Sequence, residues 1–248
     1  MNYLVGDIGN TLVKISILNE KFKITKSYTI QTKRIFDDKP KKLFFKKILK
    51  KRISKKILFS SVVPNAYRLI RKLLIKEKFS VMEVKDLKIQ KLLPVKVQNY
   101  LQVGSDRISN AVGSLHYKNC LIIDFGTATT FDILNNYTYV GGVISPGITS
   151  SISNLNKSTA LLPLVSLKKN FDNFGKNTQE ALNAGFLWGY EGLINNIIKR
   201  IKNKTKVKYK IILTGGYAKL FKSFIKENTI IDHNITIKGI AKIFKELI

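Results

Sequence analysis

Tyr3-Leu4-Val5-Gly6-Asp7-Ile8-Gly9-Asn10-Thr11 and Leu121-Ile122-Ile123-Asp124-Phe125-Gly126-Thr127-Ala128-Thr129 carry nearly the same phrase twice. In each, an apolar run ends in Asp, Gly follows within two residues, and small hydroxyl or amide side chains come next. That order describes a strand that turns tightly while exposing backbone N–H groups and one carboxylate. Such a turn suits a phosphate with its cation. Each copy also leads into a second β-type segment. The repetition therefore predicts a duplicated α/β core, each half giving one loop of a phosphate clamp around a nucleotide held in the cleft between them.

Outward from these phrases, residues 3–7, 12–18 and 22–30 read as a β-meander with a hairpin turn at Gly9-Asn10. The second half restarts the pattern at 120–124, 129–134 and 138–144, where Pro146-Gly147 stops the third strand. Between the two meanders, Leu43, Phe44, Ile48 and Leu49 recur at helical spacing within 40–52, and a buried strand at 56–60 runs up to Pro64. A helix through Leu69, Leu73 and Leu74 and a short strand at 81–84 follow, and 86–101, with Pro94, has no clear period. Ser105 reads as the N-cap of a helix through Ile108, Ala111, Val112 and Leu115. In the second half a helical region starts at Ile148, and 178–200 carries a stripe through Ala181, Leu182, Gly185, Leu193, Ile197 and Ile198. A buried strand at 208–213 delivers Thr214-Gly215-Gly216-Tyr217, and a last helix covers 236–247. Without a Gly/Ser-rich linker, the halves 1–115 and 116–248 are expected to pack closely.

The 248 residues, 44% of them hydrophobic, suffice for one large domain or two small ones. The start runs into a strand with no basic region and apolar stretch of a secretion signal, no apolar run reaches membrane-span length, and Cys120, the only cysteine, excludes an intramolecular disulfide. A cytoplasmic location is the expectation. Forty-four Lys and Arg against 16 Asp and Glu give a formal charge of +28, which raises nucleic acid as a partner. Lys is spread along the chain, however, together with abundant Ile, Asn and Phe, which reads as a compositional bias. We expect a solvated basic surface with no dedicated nucleic-acid partner, and no membrane partner.

The chain has no GxxxxGK[ST] loop, no GxGxxG after a strand and, with one Cys, His116 and His233, no Cys/His cluster. Carboxylates, glycines and hydroxyls remain. That inventory fits phosphoryl transfer, in which positioning and charge neutralisation do most of the catalysis.

Five segments stand in order: Asp7-Ile8-Gly9-Asn10-Thr11, Gly104-Ser105-Asp106-Arg107, Asp124-Phe125-Gly126-Thr127-Ala128-Thr129, Gly141-Gly142-Val143-Ile144-Ser145-Pro146-Gly147, and Thr214-Gly215-Gly216. As an ordered set they resemble type III pantothenate kinase, and Gly175-Lys176-Asn177-Thr178 with Ala181 and Gly185 extends the likeness over the whole chain. The resemblance implies an α/β, duplicated actin-like (ribonuclease H-like) ASKHA fold. It implies ATP-dependent phosphorylation of pantothenate to 4'-phosphopantothenate, the first step of coenzyme A synthesis. Magnesium with ATP, potassium or ammonium, and a homodimer with a shared substrate site come with it.

By the same resemblance Asp7, Ile8, Gly9, Asn10, Thr11, Leu12, Val13, Lys14 and Thr127 meet ATP, and Asp124 meets the monovalent cation. Asp106 is the base for the substrate hydroxyl, and Tyr100, Gly104, Ser105, Asp106, Arg107 and Thr178 meet pantothenate, Thr178 from across the dimer. Plainer roles stand beside these. The first loop also reads as an Asx-Gly hairpin, the tetrad at Gly104 as a capped helix start, Tyr100 as a packing residue, Asn177-Thr178 as a helix cap, and Thr214-Gly215-Gly216 as a strand-to-helix turn. Two rivals share the fold: a regulatory, transcriptional accessory protein that binds nucleic acid, and a kinase of another small alcohol. Asp106 and Arg107, for which a purely regulatory protein has no chemical use, separate the first rival from the kinase.

Overall fold

The computed structural model describes residues 1–49, 53–168 and 173–248. Its contacts divide the chain into two units, one of residues 1–118, 137–140 and 234–248 and one of 119–136 and 141–233.

In the first unit the Gly9-Asn10 turn folds β1 (Asn2–Ile8) back on β2 (Leu12–Leu18), and β3 (Ile24–Gln31) completes an antiparallel meander. α1 (Asp38–Ile48) then carries the chain across, so that β4 (Ile53–Ser61) lies parallel to β1 on its other side. Residues 50–52 of the helix expected over 40–52 lie outside the described residues. α2 (Pro64–Lys76) opens with Pro in its first turn, where a missing N–H costs nothing, and makes the second crossover to β5 (Ser80–Glu83). The sheet order is β3-β2-β1-β4-β5. Leu4, Ile8, Ile15 and Phe59 of the strands share one core with Phe44, Phe45 and Ile48 of α1 and Ala66, Ile70 and Leu74 of α2. From Val84 to Gln102 the chain makes single 3-10 turns at Val84–Asp86, Ile89–Lys91 and Tyr100–Gln102, and α3 (Ser105–Gly113) follows.

The second unit repeats the plan. β6 (Cys120–Phe125) pairs antiparallel with β7 (Ala128–Asn135), beyond which lies β8 (Thr138–Pro146), whose first residues group with the first unit. α4 (Ile148–Ser158) and α5 (Thr178–Thr205) precede β9 (Lys210–Gly215), which runs parallel to β6. A short α6 (Ala218–Phe221) leads to a three-residue β10 (Thr229–Ile231), parallel to β9. The order β10-β9-β6-β7-β8 mirrors the first sheet strand for strand, a meander followed by two parallel additions. The sequence reading missed β10 and α6, which are too short to show a period.

α5 departs from its expected stripe. The buried face is Asn183, Ala184, Leu187, Tyr190, Ile194, Ile198 and Ile201, with Leu182, Leu193 and Ile197 on its flanks and Ala181 and Gly185 exposed. The larger aliphatic side chains set the face, and the helix runs five residues past 200 to a left-handed Lys206.

The division at 116 also differs from the packing, because α7 (Ile235–Leu247) belongs to the first unit. Two glycines let it come close to α3: a side-chain carbon on Gly239 would run into the Ser109 carbonyl, and one on Gly113 into the Ile235 carbonyl. Thr236 Oγ1 donates to Asn110 Oδ1 at 2.7 Å beside them. Among the described residues no helix is long and apolar enough to cross a membrane. Gly239→Ala should cost about 2 kcal/mol or more, because backbone rather than a flexible side chain blocks the added methyl. Urea unfolding checks this, and an unchanged midpoint would show that α3 and α7 separate without penalty.

Candidate functional site

The β1–β2 turn is held by its own backbone and by one distant side chain. Gly9 N–H donates to the Leu12 carbonyl at 3.0 Å, Thr32 Oγ1 donates to the Gly9 carbonyl at 2.7 Å, and Thr32 N–H donates to the Thr11 carbonyl at 2.9 Å. Asn10, Thr11 and Leu12 are left exposed at its tip, while Ile8 and Val13 are buried in the core beneath. Asp7 lies in register with Lys14 on β2 and with Ser60 on β4. Residues in register on neighbouring strands project from one face, so ammonium, carboxylate and hydroxyl form a row across the sheet. Ser60 is fully buried and its hydroxyl has no hydrogen-bond partner. Nothing in the local sequence marks Ser60. Only the register of β4 against β1 identifies it.

Asp124 occupies the equivalent place in the second sheet, in register with Thr130 on β7 and Thr214 on β9. Gly126 N–H closes its turn on the Ala128 carbonyl at 3.1 Å, and Gly216 N–H reaches the Phe125 carbonyl at 3.1 Å. Gly215 has φ +85, and a side-chain carbon there would stand 2.7 Å from Asp124 Oδ1. Glycine is required at that position by both conformation and space. The exposed Thr127 gives its carbonyl to Ser150 Oγ at 2.9 Å, and Gly147 passes so close beneath that carbonyl that a side chain would not fit. Gly141-Gly142 lie within β8, and Thr214-Gly215-Gly216 form the end of β9 and the turn after it.

The tetrad at Gly104 corrects one expectation. Gly104, not Ser105, is the N-cap of α3. Ser105 is the first helical residue and is wholly buried, its hydroxyl donating to the Ser61 carbonyl at 2.7 Å and accepting from the Ser61 N–H at 2.9 Å. A hydroxyl that satisfies a neighbouring strand cannot also cap its own helix. These bonds fasten the start of α3 to the end of β4, next to Ser60 and hence to Asp7.

Asp106 follows, half-buried, its Oδ1 accepting from the Arg107 N–H at 2.8 Å. Burial pushes its carboxyl above the usual range, and the Arg107 N–H, the Arg107 charge and Lys85 pull the other way. Sequence reasoning overlooked Lys85, which also donates to the Leu101 carbonyl at 3.5 Å. Tyr100, in the 3-10 turn that Asn99 caps, has a buried hydroxyl with no hydrogen-bond partner, and burial raises its pKa. Such a phenol offers a bond to an incoming polar group.

Thr178 is exposed at the first position of α5. The cap expected there is present: Asn177 Oδ1 accepts from the Glu180 N–H at 3.0 Å, and Glu180 Oε2 accepts from the Lys176 N–H at 2.9 Å. The Thr178 side chain is not part of it.

Among the described residues no group of three or more His, Cys, Asp or Glu could cage a metal ion. The donors present are single carboxylates beside hydroxyls and backbone carbonyls. They fit a cation that completes its shell with phosphate oxygens and water.

Residues 3–200 match the family model described as type III pantothenate kinase. A type III pantothenate kinase from Pelagibacter ubique (strain HTCC1062) is 44% identical over 242 residues, covering 96% of this chain and 97% of its own. Another, from Endomicrobium trichonymphae, is 34% identical over 264 residues, covering 99% and 100%. Among solved structures, a Baf family transcriptional activator from Campylobacter jejuni matches with a TM-score of 0.61 at 20% identity over 98% of each chain. The activator of 2-hydroxyisocaproyl-CoA dehydratase from Clostridium difficile, with bound ADPNP, matches at 0.57 and 15% identity over 97% of this chain and 92% of that one. At these identities the structures share the fold, which is the actin-like one.

The raised Asp106 carboxyl has a consequence for stability. A group whose pKa is higher folded than unfolded supports the fold while protonated and loses that contribution as pH rises through its folded value. Asp106→Asn, with no charge to desolvate, should therefore be more stable than the unaltered chain near pH 7, with the advantage shrinking toward about pH 4. Urea midpoints at both pH values test this, and a pH-independent difference would refute it.

Proposed function

The chain belongs to the type III pantothenate kinase family, and from that premise we infer that it transfers the γ-phosphoryl group of ATP to the primary hydroxyl of pantothenate. The products are 4'-phosphopantothenate and ADP, at the first step of coenzyme A synthesis. The observation that carries the reading beyond family membership is the joint at Ser61 and Ser105, which seats Asp106 one residue from a helix start and next to the strand end that flanks Asp7.

The hydroxyl oxygen attacks the γ-phosphorus, the bond to the β,γ-bridging oxygen breaks, and ADP leaves with that electron pair. The hydroxyl proton goes to a carboxylate oxygen of Asp106. A weak base suffices, because in a loose transition state the proton leaves late. Burial makes Asp106 a better acceptor than an exposed carboxylate. Arg107 supplies a guanidinium for the carboxylate of pantothenate, and the Tyr100 hydroxyl supplies a hydrogen bond that its own surroundings leave unmade. The turn at Gly9 to Thr11 offers amides and side chains to the ATP phosphates, with Lys14 as point charge and Thr127 on the nucleotide. Asp7 would hold magnesium together with ATP, and Asp124 a potassium or ammonium ion. Such cations neutralise phosphate charge.

A homodimer fits one face of α5. Gly185, Gly189 and Gly192 stand where a side chain would meet nothing within 4 Å, and Trp188 among them is 45% exposed. Each glycine in a helix interior costs about 1 kcal/mol against Ala, and their own fold does not require them. A second chain lying close along this face would, and the exposed Thr178 begins the same helix. A cytoplasmic location, where both substrates are at hand, goes with this reading. The formal charge of +28 favours their approach without a nucleic-acid partner.

ADP release from magnesium-ATP that requires pantothenate, and is faster in potassium than in sodium, is the expected result. Turnover without pantothenate would overturn the substrate. Asp106→Asn should lower kcat by about 10²–10⁴-fold, and in the unaltered enzyme the acid limb of activity should lie above the ordinary carboxylate range; near-normal turnover would remove Asp106 as base. Gly189→Glu should convert a dimer to a monomer in light scattering and raise the KM for pantothenate. A chain that is monomeric before substitution would end the shared-site reading.

A further inference from the structure

Asn234 stands at the N-cap of α7, a position where an Asn side chain ordinarily accepts a backbone N–H from the first turn of its own helix. It does not do so here. Its backbone has φ −116 and ψ 9, no side-chain cap bond forms, and its Oδ1 accepts from Lys14 Nζ at 2.6 Å, 220 residues away in sequence. Lys14 is the β2 residue in register with Asp7, so the acceptor serves the one cation in the row across the first sheet.

α7 is a firm support for such an acceptor. Near its start Thr236 is bonded to Asn110, and Gly239 lies against the Ser109 carbonyl. Toward its end Phe244 packs on Tyr3 and Phe22, with ring centroids 5.6 and 5.9 Å away, and those two rings stack on each other at 4.7 Å. The first contacts lie on α3, the helix that carries Asp106, and the second on β1 and the loop after β2. Asn234 Oδ1 is thereby fixed with respect to both.

The chemistry of the acceptor matters as much as its place. A lysine side chain has four rotatable bonds, and bringing its ammonium to a phosphate costs the freedom of all of them. An acceptor that already holds the ammonium removes most of that cost. An amide carbonyl does so without neutralising the charge, whereas a carboxylate at the same spot would compete with the phosphate for it. We propose that Asn234 is a positioning residue for the phosphate-binding Lys14, an amide that aims the ammonium without adding a negative charge of its own; this rests on the kinase reading above.

Binding of the magnesium complex of a non-hydrolysable ATP analogue, measured by calorimetry, tests the proposal without turnover. Asn234→Ala should weaken binding about tenfold. Asn234→Asp, nearly the same in shape, should weaken it at least as much, because it pairs with the ammonium. In a Lys14→Ala background neither substitution should have a further effect. In turnover the loss should appear in the KM for ATP, with the KM for pantothenate and the melting temperature unchanged. Rescue of full affinity by Asp would overturn the proposal, as would an equal loss with and without Lys14, since each is what a purely structural cap would show. An unaltered chain that binds the analogue but does not phosphorylate pantothenate would sink the substrate assignment and leave this test intact. A chain that does not bind the analogue would sink both.

Discussion

The reciprocal hydrogen bonds between the Ser105 hydroxyl and the Ser61 backbone, 2.7 and 2.9 Å, are the constraint on which the proposed reaction centre depends. Each contributes only about 1 kcal/mol net, but leaving the buried partners unmade costs more, so the pair fixes geometry more than it adds stability. Ser61 is the last residue of β4 and Ser60, before it, lies beside Asp7. Ser105 is the first residue of α3 and Asp106 follows it. Two short covalent steps and one hydrogen-bonded joint thus relate the carboxylate at the β1 turn to the carboxylate at the helix start. No flexible loop intervenes.

The duplicated sheets place an Asp at the same point of the same topology and then surround it differently. Asp7 stands between Lys14 and Ser60, and Asp124 between Thr130 and Thr214. A carboxylate in register with a lysine has beside it a group suited to an anionic ligand. A carboxylate in register with two threonines has hydroxyl-bearing neighbours on both flanking strands instead. The two turns are equivalent in topology, and single residues on the flanking strands make their surroundings different.

Much of this was legible in the sequence because it is local. An apolar run, Asp and Gly are enough to predict each strand and turn, and each meander emerges where the alternation places it. Several of the failures are long-range. Ser105 looks like a cap because a Ser at a helix start usually is one, yet a strand 44 residues earlier takes its hydroxyl and Gly104 caps instead. Asn234, which the sequence does not single out, likewise has its side chain drawn to a distant partner, Lys14. The α5 stripe was right at Ile198, and Leu182, Leu193 and Ile197 pack at the edge of the core, but Ala181 and Gly185, counted as apolar, are exposed. α7 belongs with the first unit because of two glycines whose partners are in α3.

The charge of +28 also acquires a role that needs no polymeric partner. Both substrates are anions, and a positive surface field raises their concentration near the protein within the roughly 8 Å Debye length of physiological salt. Positive charge also acts on Asp106: burial favours its protonated form, and the Arg107 N–H and guanidinium, with Lys85, favour the ionised one. The basic neighbours thus moderate a rise that burial imposes on one carboxyl.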